Sequence, residues 1–152
     1  MRSWSRSLAS GCVAALMVGA CGSSYQGLSK DEFIREAVAI CAKANVELAK
    51  VGTAIGGNAT LEQVKDAYAK QLFPVLEDEV DQLRALKPPK EDRKQVSKIF
   101  DDLSTGIDQA SAEIKSLKSA KELASLTTPP AMKAAKTEAT AYGLGSCADN
   151  TG

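Results

Sequence analysis

The clearest helix signal in the chain is the segment SKDEFIREAVAICAKANVELAKV, residues 29–51. It opens with Ser29 and has Glu32 three residues later, the spacing of a capping box that satisfies two backbone donors at a helix start. Apolar side chains then recur every three or four residues to the end of the segment, so they share one helical face. Cys41 lies on that face, which predicts a thiol that points into the core.

A second helix signal begins at Thr60, which forms another capping pair with Gln63. An apolar stripe runs from Leu61 to Leu86, and Pro74 interrupts it because proline lacks a donor and clashes with the carbonyl four residues back. The apolar phase continues past the proline. We therefore predict one kinked helix, which ends before Pro88-Pro89.

Two more helices complete the pattern. The third is predicted from Glu91 to Leu117, with Gly106 in its middle. A short helical turn follows at 119–126. The last helix is predicted to start at Thr128-Pro129, since proline suits the first helical position, and to unwind at Gly143.

The composition agrees with a helical fold, because only 5% of the residues are aromatic and β-branched residues are scarce. Four amphipathic helices joined by short loops predict an all-α fold. The specific expectation is a four-helix up-down bundle with a kinked second helix and one disulfide, in which the first and last helices are neighbours.

The first 20 residues have the layout of a secretory signal. Arg2 and Arg6 precede an apolar run from Leu8 to Ala20, and small residues stand just before Cys21. The run is about 13 residues long, whereas a membrane-spanning helix needs about 20. A cleaved signal is therefore favoured over a transmembrane anchor.

The residues Val18-Gly19-Ala20-Cys21 resemble the lipobox of bacterial lipoproteins. The resemblance implies that Cys21 becomes the lipidated first residue of the mature protein, held at the extracytoplasmic face of the cell membrane. The alternative is an ordinary signal peptide cut near an incidental cysteine. The domain organisation that follows is a signal peptide at 1–20, a lipidated tether at 21–28, a helical domain at 29–147 and a flexible tail at 148–152.

The chain has four cysteines, and two of them remain available in the mature domain. Cys12 leaves with the signal and Cys21 carries the lipid. Because an exported chain meets oxidising conditions, we predict a disulfide between Cys41 and Cys147. In the chain-entropy model, closing a loop of about 100 residues contributes about 4.7 kcal/mol. The alternatives are two separately buried thiols or, less favoured without histidine, a metal site.

The composition also excludes several chemistries. The chain contains no histidine, so Ser-His-Asp, Cys-His and Glu-x-x-His sites cannot form. The mature domain keeps 17 of the 19 basic residues against 19 acidic ones, a net charge of −2, and it lacks the basic patch with aromatic residues that is typical of nucleic-acid binding. We therefore predict a protein that is not an enzyme, uses no cofactor and binds no nucleic acid.

Two charged clusters stand out. The acidic run Glu77, Asp78, Glu79 and Asp81 lacks calcium-loop spacing and is interpreted as a solvated helix face. Lys87, Lys90, Arg93 and Lys94 surround the Pro88-Pro89 turn and suit anionic lipid headgroups, although the neighbouring Glu91 and Asp92 weaken that interpretation.

Pro74 and Gly106 fall near the middles of the second and third helices. If these middles face each other, a gap lined by Tyr68, Phe73 and Phe100 would admit a small apolar ligand. The alternative is ordinary core packing beside a kink.

The segment from Phe33 to Asn45, with the later Pro-Pro and the terminal Gly-Ser-Cys, is similar to small secreted or lipid-anchored helical proteins of actinobacteria. The resemblance implies the fold, the anchor and the disulfide, but no activity. The leading functional hypothesis is a non-enzymatic binding module of the cell envelope with an envelope protein as partner. The alternative is a carrier of a small apolar ligand in the kink region.

Overall fold

The computed structural model describes residues 27–55 and 59–148, and these residues form helices and turns without a strand. The all-α fold class is thereby confirmed. The predicted signal peptide, Cys21 and residues 22–26 of the tether lie outside the described residues. The elements in chain order are α1 (Lys30–Ala54), α2 (Leu61–Ala67), a π-helical turn (Tyr68–Leu72), α3 (Phe73–Ala85), α4 (Arg93–Ser116), α5 (Ala120–Leu123), α6 (Pro130–Tyr142) and α7 (Gly145–Ala148).

Both predicted capping boxes are confirmed. The Glu32 backbone N–H donates to Ser29 Oγ at 3.3 Å, and the Ser29 N–H donates to Glu32 Oε2 at 3.0 Å. Thr60 and Gln63 make the same reciprocal pair at the start of α2. The hydrogen bonds from Ser29 lower the pKa of the Glu32 carboxyl. These local bonds set where the first two helices begin.

The helix after Thr60 passes through Pro74 as one continuous element, and its interruption takes the form of the π-helical turn. Within that turn the Phe73 N–H donates to Tyr68 O, five residues back. Pro74 cannot donate to the carbonyl of Lys70. The π-helical turn therefore lies where the series of α-helical backbone hydrogen bonds would lose a donor.

The hydrophobic core is assembled from the facing stripes of the long helices. α3 packs against α1 and α4, and α4 packs most extensively against α6. The predicted stripes are largely confirmed by burial, since their large apolar residues are shielded from solvent. The largest fully buried side chains are Phe33, Cys41, Leu83, Val96, Ile99 and Leu144.

The C-terminal segment turns back onto α1. The last long helix begins at Pro130 with Pro129 as its cap, slightly later than predicted. Gly143 then adopts a left-handed conformation with φ 111°, and the Leu144 N–H donates to Ala139 O at 2.8 Å. This is the geometry of a glycine helix stop, and it directs the chain into α7.

The disulfide between Cys41 and Cys147 is confirmed, with Cα atoms 5.0 Å apart. It joins the buried face of α1 to α7. Ala148, predicted as the first residue of a flexible tail, is buried within α7. That prediction is wrong for Ala148 because the disulfide holds its neighbour against the core, and residues 149–152 lie outside the described residues.

Candidate functional site

A groove of about 650 Å³ lies between α1 and the continuous segment made by the π-helical turn and α3. Its lining residues recur at three- and four-residue spacing on both sides, so each wall is one helical face. The α1 wall consists of Ile40, Lys43, Ala44, Glu47, Lys50 and Val51. The opposite wall consists of Lys70, Gln71, Pro74, Val75, Asp78, Glu79 and Gln82.

The groove combines an aliphatic lower part with a polar rim. Ala44 and Val51 are buried, and Ile40 and Val75 are half-buried. The small Ala44 side chain leaves space that a larger residue would fill. A concave site of this volume, apolar with a few polar groups, is typical of small-molecule binding.

Glu79 is the most unusual residue of the groove because its side chain is charged in water yet only 4% of the residue is exposed. Within 27–55 and 59–148, it makes no hydrogen bond or ion pair. No fully shielded side-chain oxygen among these residues lacks a partner. The carboxyl oxygens of Glu79 must therefore be accessible from the groove. A molecule in the groove can form hydrogen bonds with them.

Burial raises the pKa of the Glu79 carboxyl from 4.5 to about 7. The cause is desolvation, which penalises the charged form. Near neutral pH the side chain thus exchanges between a carboxylic acid, which donates and accepts hydrogen bonds, and a carboxylate, which only accepts them. Perturbed acids of this kind concentrate at functional sites.

Most charges at the rim are already paired. Lys50 Nζ contacts Glu47 Oε1 at 2.7 Å, and Lys70 Nζ contacts Asp66 Oδ2 at 2.7 Å. Asp78 accepts a hydrogen bond from the Gln82 side chain. The ammonium of Lys43 has no ion-pair partner in the described part of the chain. The rim is therefore polar but close to electrically balanced.

The interpretation of the acidic run as a solvated face is correct for Glu77, Asp78 and Asp81, which are exposed, but wrong for Glu79. The sequence held a signal for this. Glu79 follows Val75 by four residues and precedes Leu83 by four, so it occupies the apolar stripe itself. Because the neighbouring acidic residues are typical of an exposed face, Glu79 was interpreted as exposed with them.

The predicted pocket required the middles of the second and third helices to face each other around Pro74 and Gly106, but these two residues have different neighbours. Pro74 lines the groove against α1, whereas the Cα of Gly106 faces Met132 of α6. Phe73 and Phe100 are buried in the core, and Tyr68 packs edge-on against Phe73 with ring centroids 5.9 Å apart. All three aromatic residues have packing roles that account for their positions.

The basic residues Lys87, Lys90, Arg93 and Lys94 are exposed around the Pro88-Pro89 turn, as their sequence suggests. The chain enters the domain beside them, because the Leu28 N–H donates to Lys87 O at 2.8 Å and Leu28 packs against the core. The last residue of the predicted tether is thus part of the folded domain.

The described ranges, 27–55 and 59–148, contain neither a candidate metal site nor a membrane-spanning helix. Their Cys, Asp and Glu side chains form no group of three that could hold a metal ion. In the same ranges, every helix is too short or too polar to cross a bilayer.

No protein-family model matches the sequence, and no curated protein or solved structure matches it closely enough to indicate a relationship.

Proposed function

We propose that the protein is a lipid-anchored, extracytoplasmic binding module that is not an enzyme and that captures another component of the cell envelope in the groove between α1 and α3. The observation that carries this proposal is Glu79, a buried carboxyl whose polar atoms reach the groove and have no partner among the described residues. Since buried polar groups are nearly always satisfied, such a group is a natural recognition point.

The proposed scaffold is a four-helix up-down bundle made of α1, the α2–α3 helix, α4 and α6. Support comes from the contacts between successive helices, α1 with α3, α3 with α4 and α4 with α6. The connections at 55–60 and 86–92 are short, which favours antiparallel neighbours, while the longer connection at 117–129 contains α5. α6 approaches α1 at its C-terminal end, where the Phe33 and Tyr142 rings pack edge-on at 6.1 Å.

The proposed membrane anchor is the lipid on Cys21. Leu28 meets the domain at Lys87, which places the entry of the chain beside the exposed basic residues. These cations suit anionic headgroups. At about 1.5 Å of rise per residue, the groove lies roughly 15 to 30 Å further along α1. In this arrangement the groove lies at a distance from the bilayer, where an envelope component can reach it.

The experiment that tests the module is site-specific photo-crosslinking on intact cells. A photoreactive amino acid replaces Gln71, an exposed residue at the groove, and in a matched control it replaces Gln109, an exposed residue of α4. We expect one reproducible protein adduct from position 71 and none from position 109. Equal adducts at both positions, or no adduct at position 71, would contradict binding in the groove.

The second candidate function is a carrier of a small ligand. The groove between α1 and α3 supports it, although this is not the place beside Gly106 that the sequence suggested. The space that the sequence suggested near Pro74 exists on the α1 side of that residue rather than on the α4 side. Small molecules in place of a protein at position 71 would support the carrier. Native mass spectrometry after exposure to a lipid extract tests it directly, and retention of no ligand would count against it.

A further inference from the structure

We propose that the groove between α1 and α3 binds a small aliphatic amine, whose protonated amino group is held by the Glu79 carboxylate. This inference rests on the second candidate under the proposed function, the carrier of a small ligand, because it assigns a ligand class to the same groove.

The ligand must carry a polar group at Glu79. A purely apolar molecule in the groove would cut the carboxyl off from water without giving it a partner, and unsatisfied buried polar groups are costly. Only 4% of Glu79 is exposed before any ligand enters. The small apolar ligand that the sequence suggested is therefore a poor fit for this groove.

A cationic donor suits the carboxyl better than a neutral one. Hydrogen bonds in which both partners are charged are shorter and stronger than neutral ones. Burial alone raises the pKa of Glu79 to about 7, and no neighbouring cation offsets that rise. An ammonium group would supply the missing counter-charge and stabilise the carboxylate form.

The surrounding groups allow one additional cation. The charged groups that line the groove together with Glu79 are Lys43, Glu47 and Lys50 from α1, and Lys70 and Asp78 from the π-helical turn and α3. Lys50 and Lys70 are engaged with carboxylates. Lys43 remains the competitor, because its flexible stem carries a free ammonium at the rim.

The rest of the groove selects the body of the ligand. Ile40, Ala44 and Val75 present aliphatic surface, and the lining contains no aromatic ring. Stacking platforms for planar ligands are absent from this lining. A short alkyl chain can contact the aliphatic wall while its amino group reaches Glu79.

Binding of such an amine depends on pH because only ionised Glu79 carries the counter-charge. An alkylammonium keeps its proton up to a pH of about 10. The carboxyl, with a pKa of about 7, is mostly protonated at about pH 6 and mostly ionised at about pH 8. The affinity should therefore rise about tenfold between these two pH values.

The test uses the full chain and three probes of equal length: butylammonium, 1-butanol and butyrate. Binding is followed by amide chemical shifts of groove residues. We expect saturable shifts with butylammonium, and much weaker ones with the other two probes. Glu79→Gln should lower the affinity for butylammonium at least about tenfold and abolish its pH dependence. Glu77→Gln changes the net charge equally at an exposed position of the same helix and should leave both unchanged.

Lys43→Met provides a second variant that does not alter Glu79. It should strengthen amine binding because it removes the competing ammonium, and weaker binding would contradict the inference. Equal binding of butanol and butylammonium, preference for butyrate, or an unaltered Glu79→Gln variant would overturn the inference. If amine binding fails while the crosslink at position 71 persists, the ligand class is wrong and the binding module stands.

Discussion

The interface between α4 and α6 is closed, whereas the interface between α1 and α3 is open along the groove. At the closed interface, a Cβ on Gly106 would lie 2.6 Å from the Cβ of Met132 and within 3 Å of its backbone, so the two helices touch. Lys98 bridges Asp102 of its own helix and Glu138 of α6 at 2.7 Å each. These contacts raise the pKa of Lys98 to about 12.

The open interface also contains small residues, but a carboxyl stands among them. Ala44 would permit close approach of the two helices, as Gly106 does in the closed one. Closing the gap would shield the Glu79 carboxyl completely without supplying a partner, which is unfavourable. Small residues therefore allow two helices to touch, whereas a buried carboxyl without a protein partner favours an opening beside it.

The largest effect should come from the disulfide that joins α1 to α7. Replacing both Cys41 and Cys147 by alanine should lower the free energy of unfolding by about 4 kcal/mol, since the disulfide closes a loop over a separation of 106 residues. Urea denaturation measures the loss. Reductant should destabilise the wild type similarly and leave the double variant unchanged. A loss below about 1 kcal/mol would show that α1 and α7 pack together without the disulfide.

The next effect concerns the open interface itself. The unfolded chain ionises Glu79 near 4.5, while the folded protein keeps that proton until about pH 7. The free energy of unfolding should therefore fall as the pH rises through this interval, by on the order of 3 kcal/mol, and level off above it. Glu79→Gln should remove this dependence and be the more stable protein at about pH 8.

Denaturation at about pH 5 and about pH 8 provides the measurement for Glu79. The difference between wild type and variant isolates the one carboxyl from the other titrating groups. The exposed Glu77→Gln variant should follow the wild type at both pH values. If it behaved like Glu79→Gln, net charge rather than burial would be the cause.

The closed interface can be opened by one methyl group. Gly106→Ala should destabilise the protein by about 2 kcal/mol, because the added Cβ meets backbone atoms of Met132 that cannot rotate away. Gly52→Ala is the matched control, since nothing lies within 4 Å of a Cβ there. In an exposed helical position it should instead stabilise by about 0.5–1 kcal/mol. Thermal unfolding of both variants distinguishes steric contact from helix propensity.

The smallest effect concerns the polar contact at the end of α6. Tyr142 Oη donates to Asp92 Oδ2 at 2.7 Å, and burial together with this carboxylate raises the pKa of the tyrosine. Tyr142→Phe keeps the ring contact with Phe33 and should cost about 1 kcal/mol.

Tyr68→Phe is the control for that hydroxyl, because Tyr68 makes no hydrogen bond through its side chain in the described residues. It should be nearly neutral in the same denaturation experiment. Equal losses in the two variants would mean that the Asp92 contact contributes nothing. Alkaline spectrophotometric titration should also show a late-titrating tyrosine in the wild type that Tyr142→Phe lacks.

The sequence by itself determined the helices, their caps and the cysteine pairing. The Ser29 and Thr60 boxes are bonds between residues three apart, and the apolar stripes follow from the 3.6-residue period. The pairing of Cys41 with Cys147 followed from counting the thiols left once Cys12 and Cys21 are assigned to the predicted signal peptide and lipid anchor. Each of these inferences needs only neighbouring residues or a tally, so no knowledge of the tertiary arrangement was required.

Only the tertiary structure decided which faces meet. The predicted pocket would have had Gly106 on its wall near Pro74, but Gly106 lies against Met132, and the groove that Pro74 lines lies against α1. Glu79 sat on the apolar stripe, yet its burial depended on how closely α1 approaches α3. Rotation and separation of packed helices result from all their contacts together. A periodic pattern defines the buried face of a helix, but the tertiary packing determines its neighbour and the space between them.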